Sequence, residues 1–354
     1  MKNILKNRKQ RSLLGGLVVG LFIFLFGCVY LDSVSIMQMQ EDGTEASIAK
    51  AGSVATFTLK GHIDAGENKQ GTKFIVSFLA PKSWKVREHA KVTYVTSLEP
   101  NLELTMSVVP TSSLPKNGGG STWSEKLMQD YGVGPNALTD MEWVTFQTDI
   151  AWDIFNGDKP DYTIYIRTNV GDQNMKVYLG FFVNHTEDGI SDSNDHKKVK
   201  YSDIPFEVVG GKSPTIDYTS DHFNMVTPLA FLQDDFVTFA FNGSAFENDL
   251  VIFDEIFIAA KAYDAMGNLI SEVNEKGSKT LLRRGTGIED TFSRTVWPVK
   301  FFDIPDGKTI GHIEYLFTNR DGSVTITQSD DDYAVEGTEI VGEKTPFILE
   351  LLCD

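Results

Sequence analysis

The feature that most constrains the fold is a strict alternation of apolar and polar residues over short segments. It is clearest over 102–108, where four apolar residues, Leu102, Leu104, Met106 and Val108, alternate with Glu103, Thr105 and Ser107. Because successive side chains of a strand point to opposite faces, such a segment buries one face and exposes the other. The same pattern recurs over 55–60, 74–78 and 175–183. The sequence therefore predicts an all-β fold.

The length of the chain and the spacing of its strands predict two tandem antiparallel β-sandwich domains of the immunoglobulin-like class. The stretch Gly210–Pro214 holds two glycines and a Ser-Pro pair, which do not extend a strand, and predicted strands stand on both sides of it. We therefore predict a first domain over 51–210 and a second over 211–354.

One helix is predicted inside the first domain. Thr122 and Glu125 have the spacing of a capping box, and Trp123, Leu127 and Tyr131 fall on one helical face. The pattern predicts a short helical insertion between two strands.

The amino-terminal segment has the layout of a targeting signal. Five basic residues precede the apolar run Leu13–Phe26, which is too short to span a bilayer about 30 Å thick at about 1.5 Å per residue. The stretch Leu25-Phe26-Gly27-Cys28 resembles the cleavage site of bacterial lipoprotein signals. The resemblance implies a signal peptide over 1–27 and lipidation of Cys28. The polar segment 28–50 with its scattered apolar residues predicts a tether, with one edge strand in it left open. An ordinary secretory signal or a short signal anchor is the alternative.

The charge of the chain excludes several partners. Residues 1–27 hold five of the 32 basic side chains and no acidic one, so the remaining chain has 27 basic against 49 acidic side chains, a net charge of −22. Nucleic acid and anionic lipid headgroups both require a basic surface. We expect contact with the membrane through the lipid alone. Only two cysteines exist, Cys28 and Cys353, so acylation of the first leaves no intramolecular disulfide.

The sequence offers little for catalysis. The patterns of common serine nucleophiles, zinc proteases and phosphate-binding loops are absent from it, and the adjacent acid pairs are typical of solvated turns, so we predict that the protein is not an enzyme. Two acidic clusters, one within 187–195 and one at Asp330–Asp332, have oxygen ligands that suit calcium. Solvated acidic loops are the alternative, and we predict no other cofactor.

Aromatic and polar residues near strand ends favour sugar binding. A sugar ring has an apolar face and a rim of hydroxyls, so its receptor needs a flat aromatic ring beside polar groups. Tyr263 and Trp297 lie at the ends of predicted strands. Trp84 is the corresponding candidate on a loop of the first domain, whereas Trp143 and Trp152 are interpreted as core residues.

Four segments, 236–241, 256–263, 297–302 and 313–322, resemble the carboxy-terminal sandwich of Bacteroidota surface lipoproteins from polysaccharide-utilisation loci. In similar starch-type, carbohydrate-binding-module-like domains a tyrosine and a tryptophan form the sugar platform, and Tyr263 and Trp297 occupy those positions. The resemblance implies a lipid-anchored outer-membrane protein, expected at the cell surface, with the periplasmic face left open.

The implied function is non-catalytic glycan binding that assists polysaccharide capture and import. The candidate glycan-binding residues are Tyr263, Trp297, Lys261, Asn319, Arg320 and Asp321. The expected partners are a polysaccharide or oligosaccharide, an outer-membrane importer and its lid lipoprotein. The alternative is a structural or assembly lipoprotein that binds a partner protein of an import complex.

Overall fold

The computed structural model describes residues 28–190, 198–211, 214–285 and 290–352. The first domain holds two α-helices, α1 (Val86–His89) and α2 (Trp123–Tyr131), and a 3-10 helix at Lys82–Trp84. Its strands are β1 (Cys28–Ser35), β2 (Gln38–Met39), β3 (Glu45–Ala46), β4 (Ile48–Lys50), β5 (Val54–Asp64), β6 (Lys69–Thr72), β7 (Phe74–Pro81), β8 (Lys91–Thr96), β9 (Glu99–Val108), β10 (Met141–Thr148), β11 (Trp152–Ile154), β12 (Asp161–Asn169), β13 (Met175–Val177), β14 (Gly180–His185), β15 (Lys198–Tyr201), β16 (Phe206–Val209) and β17 (Ile216–Asp217).

The second domain adds α3 (Pro298–Phe301), α4 (Gln328–Glu336) and a 3-10 helix at Leu250–Ile252. Its strands are β18 (Asn224–Thr227), β19 (Val237–Asn242), β20 (Phe257–Tyr263), β21 (Leu269–Val273), β22 (Arg283–Arg284), β23 (Thr291–Val296), β24 (His312–Thr318), β25 (Thr325–Ile326) and β26 (Phe347–Glu350). None of the helices within the described ranges is long and apolar enough to cross a membrane.

Two β-sandwiches form the described part of the chain, which confirms the predicted all-β fold class. In the first, a nine-stranded antiparallel sheet runs in the order β1-β5-β12-β8-β9-β10-β7-β14-β15 and a four-stranded sheet in the order β17-β13-β16-β4. The smaller sheet also contains two parallel pairs, β13 with β17 and β16 with β4. In the second, a four-stranded sheet, β18-β19-β23-β22, faces a five-stranded sheet built on β21-β20-β24, with β25 and β26 paired to β24.

Residues 28–50 belong to the fold, so the predicted tether is wrong. The whole of β1 pairs with β5, from Cys28 opposite Asp64 to Ser35 opposite Thr58. Val29 is 2% exposed, because its side chain enters the first core. The apolar residues that looked scattered in a polar segment are the inward row of an edge strand.

The predicted helical insertion is confirmed, and the predicted capping box is present at its start. The Thr122 backbone N–H donates to Glu125 Oε2 over 2.8 Å, and the Glu125 N–H donates to Thr122 Oγ1 over 3.3 Å. Trp123 and Leu127 are buried, which seats α2 on the first core.

The passage between the domains lies beyond the predicted boundary at Gly210–Pro214. Ile216 pairs with Met175 of β13, and Tyr218 is buried in the first core. The second core begins at Phe223. Residues 214–218 therefore pack with the first domain, because strand pairing continues past the glycines. Independent folding of the two domains stays a prediction.

A buried ion pair stands where the chain enters the second domain. His222 Nδ1 lies 2.6 Å from Asp331 Oδ2, and the Phe223 N–H donates to Asp331 Oδ1 over 2.7 Å. Asp331 lies in the first turn of α4 and is 3% exposed. One carboxylate thus fixes the start of the second domain to a helix about a hundred residues later in the chain.

Candidate functional site

The hairpin turn at 319–322 and Tyr263 lie at opposite ends of one strand pair. Tyr263 pairs with His312, and Phe257 pairs with Thr318, which directly precedes the hairpin at 319–322. Six residues separate the two ends, or about 20 Å at about 3.3 Å per residue. The hairpin therefore does not join Tyr263 in one site.

The side chains of the hairpin support the turn itself. Asn319 is 2% exposed, accepts from the Val324 N–H and donates to Ser323 Oγ. Asp321 accepts from the Ser323 hydroxyl and N–H, and these hydrogen bonds lower the pKa of Asp321. Both side chains form hydrogen bonds that stabilise the turn, which explains why polar residues cluster there.

Arg320 is exposed but has an internal partner. Its guanidinium contacts Glu255 Oε2 at 2.6 Å and lies 5.1 Å from the centre of the Phe257 ring. Arg320 therefore lies at the Phe257 end of the five-stranded sheet, and Tyr263 lies at the opposite end.

Trp297 directly follows a strand of the other sheet. It comes after β23 of the four-stranded sheet and is the N-cap of α3. Pro298 at the first helical position explains why a helix begins here, since the fixed φ of proline suits the first turn of a helix. Trp297 is 37% exposed.

Trp84, in contrast, is fully buried in the first core, so the prediction that its ring lies on a loop is wrong.

Tyr263 and Lys261 are the two predicted residues that the structure brings together. Ile258, Ala260 and Ala262 of β20 enter the second core, so the alternate residues Lys261 and Tyr263 face outward. The outer face of the five-stranded sheet is therefore the surface on which both predicted residues stand.

The Tyr263 ring is held in place by neighbours on β24. It stacks on His312 with ring centres 4.7 Å apart and planes at 6°, and its hydroxyl donates to Glu314 Oε2 over 2.9 Å. Partial burial, then the hydrogen bond and charge of Glu314, raise the pKa of Tyr263 above its usual value. The hydroxyl is thus a fixed, protonated donor and the two rings form one preordered pair.

A cleft of about 400 Å³ adjoins this ring pair on the same face. Ala259 and Leu316, which are cross-strand partners, form its apolar part. Polar groups surround them: Lys261, Glu272, Asn274, Glu314 and Lys344. We name this surface the outer cleft.

The polar residues of the outer cleft offer both donors and acceptors. Lys261 stands between Glu272 of β21 and Glu314 of β24 in the strand register. Its ammonium makes no hydrogen bond or ion pair with any residue the structure describes. Asn274 donates to Glu272 Oε1 over 3.0 Å, which orients that carboxylate. Sequence reasoning missed Glu272, Asn274 and Glu314, although Glu314 alternates with the core residues Ile313 and Tyr315.

The acidic cluster that follows β14 is partly engaged. Glu187 pairs with Lys116 at 2.9 Å, and Asp188 pairs with Lys69 at 3.0 Å and with His185 at 2.8 Å. Burial would raise the pKa of Asp188, but its hydrogen bonds and electrostatic interactions with His185 and Lys69 outweigh burial and lower the pKa to about 2. Three further candidates lie outside the described residues: Asp192, Asn194 and Asp195.

The second acidic cluster is also occupied by protein groups. Asp330 contacts Lys344 at 2.6 Å, Asp331 contacts His222, and Asp332 accepts from Gln328. No described group of acidic, histidine or cysteine side chains has the arrangement of a metal site. Calcium binding stays a prediction.

Comparison with known proteins places most of the chain in uncharacterised families. Residues 32–222, which are 191 of the 354, match the model described as "Domain of unknown function (DUF4961)". The chain belongs to the DUF4961 family. Residues 224–326 of this DUF4961 protein match a second model, "Domain of unknown function (DUF8578)". The two matches meet at residues 222–224, where the second core begins.

No curated protein matches the chain. Among solved structures, the major pilin SpaA of Corynebacterium diphtheriae is 8% identical, with a TM-score of 0.27, over 90% of this chain and 64% of the pilin. The carboxy-terminal domain of the AgI/II polypeptide BspA of Streptococcus agalactiae is 9% identical, with a TM-score of 0.24, over 85% of this chain and 96% of that domain. Similarity this low says nothing about function.

Proposed function

We propose that the second domain binds an oligosaccharide in the outer cleft and that the protein is a non-catalytic, glycan-binding lipoprotein that assists polysaccharide capture. The observation that carries the proposal is the cleft itself: about 400 Å³ beside the fixed Tyr263–His312 ring pair. Pockets of this size with a small apolar floor and a few convergent polar groups are typical ligand sites.

The chemistry of the cleft suits a sugar. An apolar sugar face can pack on Ala259 and Leu316, which offer carbon atoms without charge, and Glu314 of the cleft accepts from the hydroxyl of the Tyr263 ring. The Lys261 ammonium can donate to hydroxyls, while Glu272 and Glu314 can accept from them. The net charge of −22 after residue 27 favours a neutral glycan over an acidic one.

Replacing Tyr263 with alanine is expected to weaken glycan binding about 10- to 100-fold, since stacking by one ring is worth about 1–3 kcal/mol if it follows base–aromatic stacking. The measurement is affinity electrophoresis of the full chain against plant, fungal and host polysaccharides. Tyr333→Ala is the matched control, because Tyr333 is a 58% exposed tyrosine on α4.

Wild-type affinity in Tyr263→Ala would show that the outer cleft is not the sugar site. Failure of the unaltered protein to bind any glycan would instead favour the partner-protein function within an import complex.

We also propose that Cys28 carries the lipid that holds the protein at the outer membrane. The support is the signal-like segment 1–27, which lies outside the described residues, and its Gly27-Cys28 end. Cys28→Ala is expected to move the protein from the membrane pellet to the soluble fraction. A variant that still pellets after carbonate washing would contradict the lipid anchor.

A further inference from the structure

The four-stranded sheet of the second domain has an outer face of unusual composition. Val237, Phe239 and Phe241 of β19 enter the second core, so the residues between them face outward. The strand register pairs the outward residues of β19 with those of β23 as Thr238 with Thr295, Ala240 with Ser293, and Asn242 with Thr291. We name these six residues the hydroxyl ladder.

The ladder is ordered and accessible. Thr238 Oγ1 and Thr295 Oγ1 lie 2.8 Å apart, so one hydroxyl donates to the other. Thr295 is exposed and the other five residues are half-buried, and the hydroxyl oxygen of Thr291 is itself buried. Because the side chains are short, a ligand can lie close to the backbone along about 13 Å of strand, which is four steps at about 3.3 Å per residue.

Two exposed aromatic rings stand at one end of the ladder. Val237 pairs with Val296 at the end of the register, and Phe236 and Trp297 are the residues that directly precede and follow this pair. Phe236 is 68% exposed and Trp297 is 37% exposed, and the Lys300 ammonium lies 6.0 Å from the centre of the Trp297 ring. The two rings give this end of the sheet an exposed apolar part.

The six residues of the ladder are uncharged in a strongly acidic protein. None of them carries a carboxylate or an ammonium group, although the chain has 49 acidic side chains. Arg283 of β22 pairs with Ser293, so one guanidinium, itself a donor to hydroxyls, flanks the ladder. The outer cleft on the opposite sheet, in contrast, holds Glu272 and Glu314. Hydroxyl, amide and guanidinium groups can hydrogen-bond a neutral polyhydroxylated ligand, and the rings give it an apolar face on which to stack.

We propose that the hydroxyl ladder with Phe236 and Trp297 is a second glycan-binding surface, which takes a segment of an extended neutral polysaccharide chain. The inference rests on the proposed glycan-binding function and assigns a separate site to it. The two sites lie on outward faces of the two opposed sheets, so one molecule has a flat surface for a polymer and a cleft for an oligosaccharide.

The test uses the full chain and two kinds of variant. Phe236→Ala with Trp297→Ala removes the rings, and Thr295→Glu adds bulk and charge to the end of the ladder next to the rings while the rings remain. Each is expected to weaken retention by a neutral polysaccharide in affinity electrophoresis about 10- to 100-fold. Phe155→Ala is the matched control, because Phe155 is a 53% exposed ring in the first domain. Melting temperatures within about 2 °C of the unaltered protein verify the fold.

The outcomes separate this inference from the proposed function. Loss of polysaccharide retention in both ladder variants, with normal retention in Phe155→Ala, supports the second surface. Normal retention in Thr295→Glu overturns it, even if the ring variant has lost affinity through unfolding. Full retention in both ladder variants together with loss in Tyr263→Ala leaves the outer cleft as the glycan site and rejects the ladder. Binding of a protein partner, but of no glycan, that Thr295→Glu abolishes also rejects it.

Discussion

Replacing Trp84 with alanine is expected to lower the free energy of unfolding by about 3–5 kcal/mol, the usual cost of removing a large ring from a packed core. Trp84 is fully buried. Its ring stacks near Phe57 at 6.1 Å and meets Phe206 edge-on at 5.9 Å, and its indole N–H points at Met175 Sδ over 3.1 Å. Because these contacts join the two sheets of the first sandwich, the remaining cavity would weaken both. Chemical denaturation measures the change.

Trp297→Ala is the matched control for this substitution. Its ring is 37% exposed, so the same change of residue is expected to cost under about 1 kcal/mol. Equal losses of stability in the two variants would mean that burial does not determine how much Trp84 contributes to the free energy of unfolding.

Replacing Asp331 with alanine is expected to destabilise the second domain by about 3–5 kcal/mol, because removal of one partner leaves a buried ionisable group without its counter-charge. Asp331 accepts from the Phe223 N–H and pairs with His222, and both groups would lose their acceptor. Thermal and chemical unfolding measure the loss. Asp332→Ala is the control, since Asp332 accepts only from Gln328 on the same helix.

The effect of Asp331→Ala is expected to depend on pH. Burial alone would lower the pKa of His222, but the hydrogen bond and charge of Asp331 outweigh it and raise the pKa. The ion pair therefore contributes fully below the ordinary histidine pKa of about 6.5 and is lost as pH rises through the higher folded value. The stability difference between wild type and variant should shrink over that range, yet stay above zero because the Phe223 hydrogen bond persists. A difference that grows with pH would contradict this account.

Alternation along the sequence predicts strands well because it reports which face is buried, and burial decides the pairing. Leu104 and Met106 of β9 are 9% and 6% exposed, as their spacing predicts, and the capping box at Thr122 marks the start of α2. Leu102 breaks the pattern, with 49% exposed, because it lies near the turn into β9. Strand ends depend on contacts from other elements, which local pattern does not contain.

At the candidate site, too, local alternation predicts the direction of side chains but not the contacts between elements. The outward direction of Lys261 and Tyr263 follows from alternation with Ala260 and Ala262. Alternation does not say to which sheet a strand belongs, so it could not test the platform of Tyr263 and Trp297 that the resemblance implies, and β23 and β20 lie in different sheets. The strand register, a property of the folded chain, separates them.

The start of β1 at Cys28 has a mechanical consequence for an anchored protein. A lipid on this residue would be attached to the first position of a strand whose backbone pairs at once with Asp64, with no slack between them. Anchor and nine-stranded sheet would then move as one rigid body. The height of the first domain above the bilayer would then be set by the folded sheet itself and not by a flexible stalk.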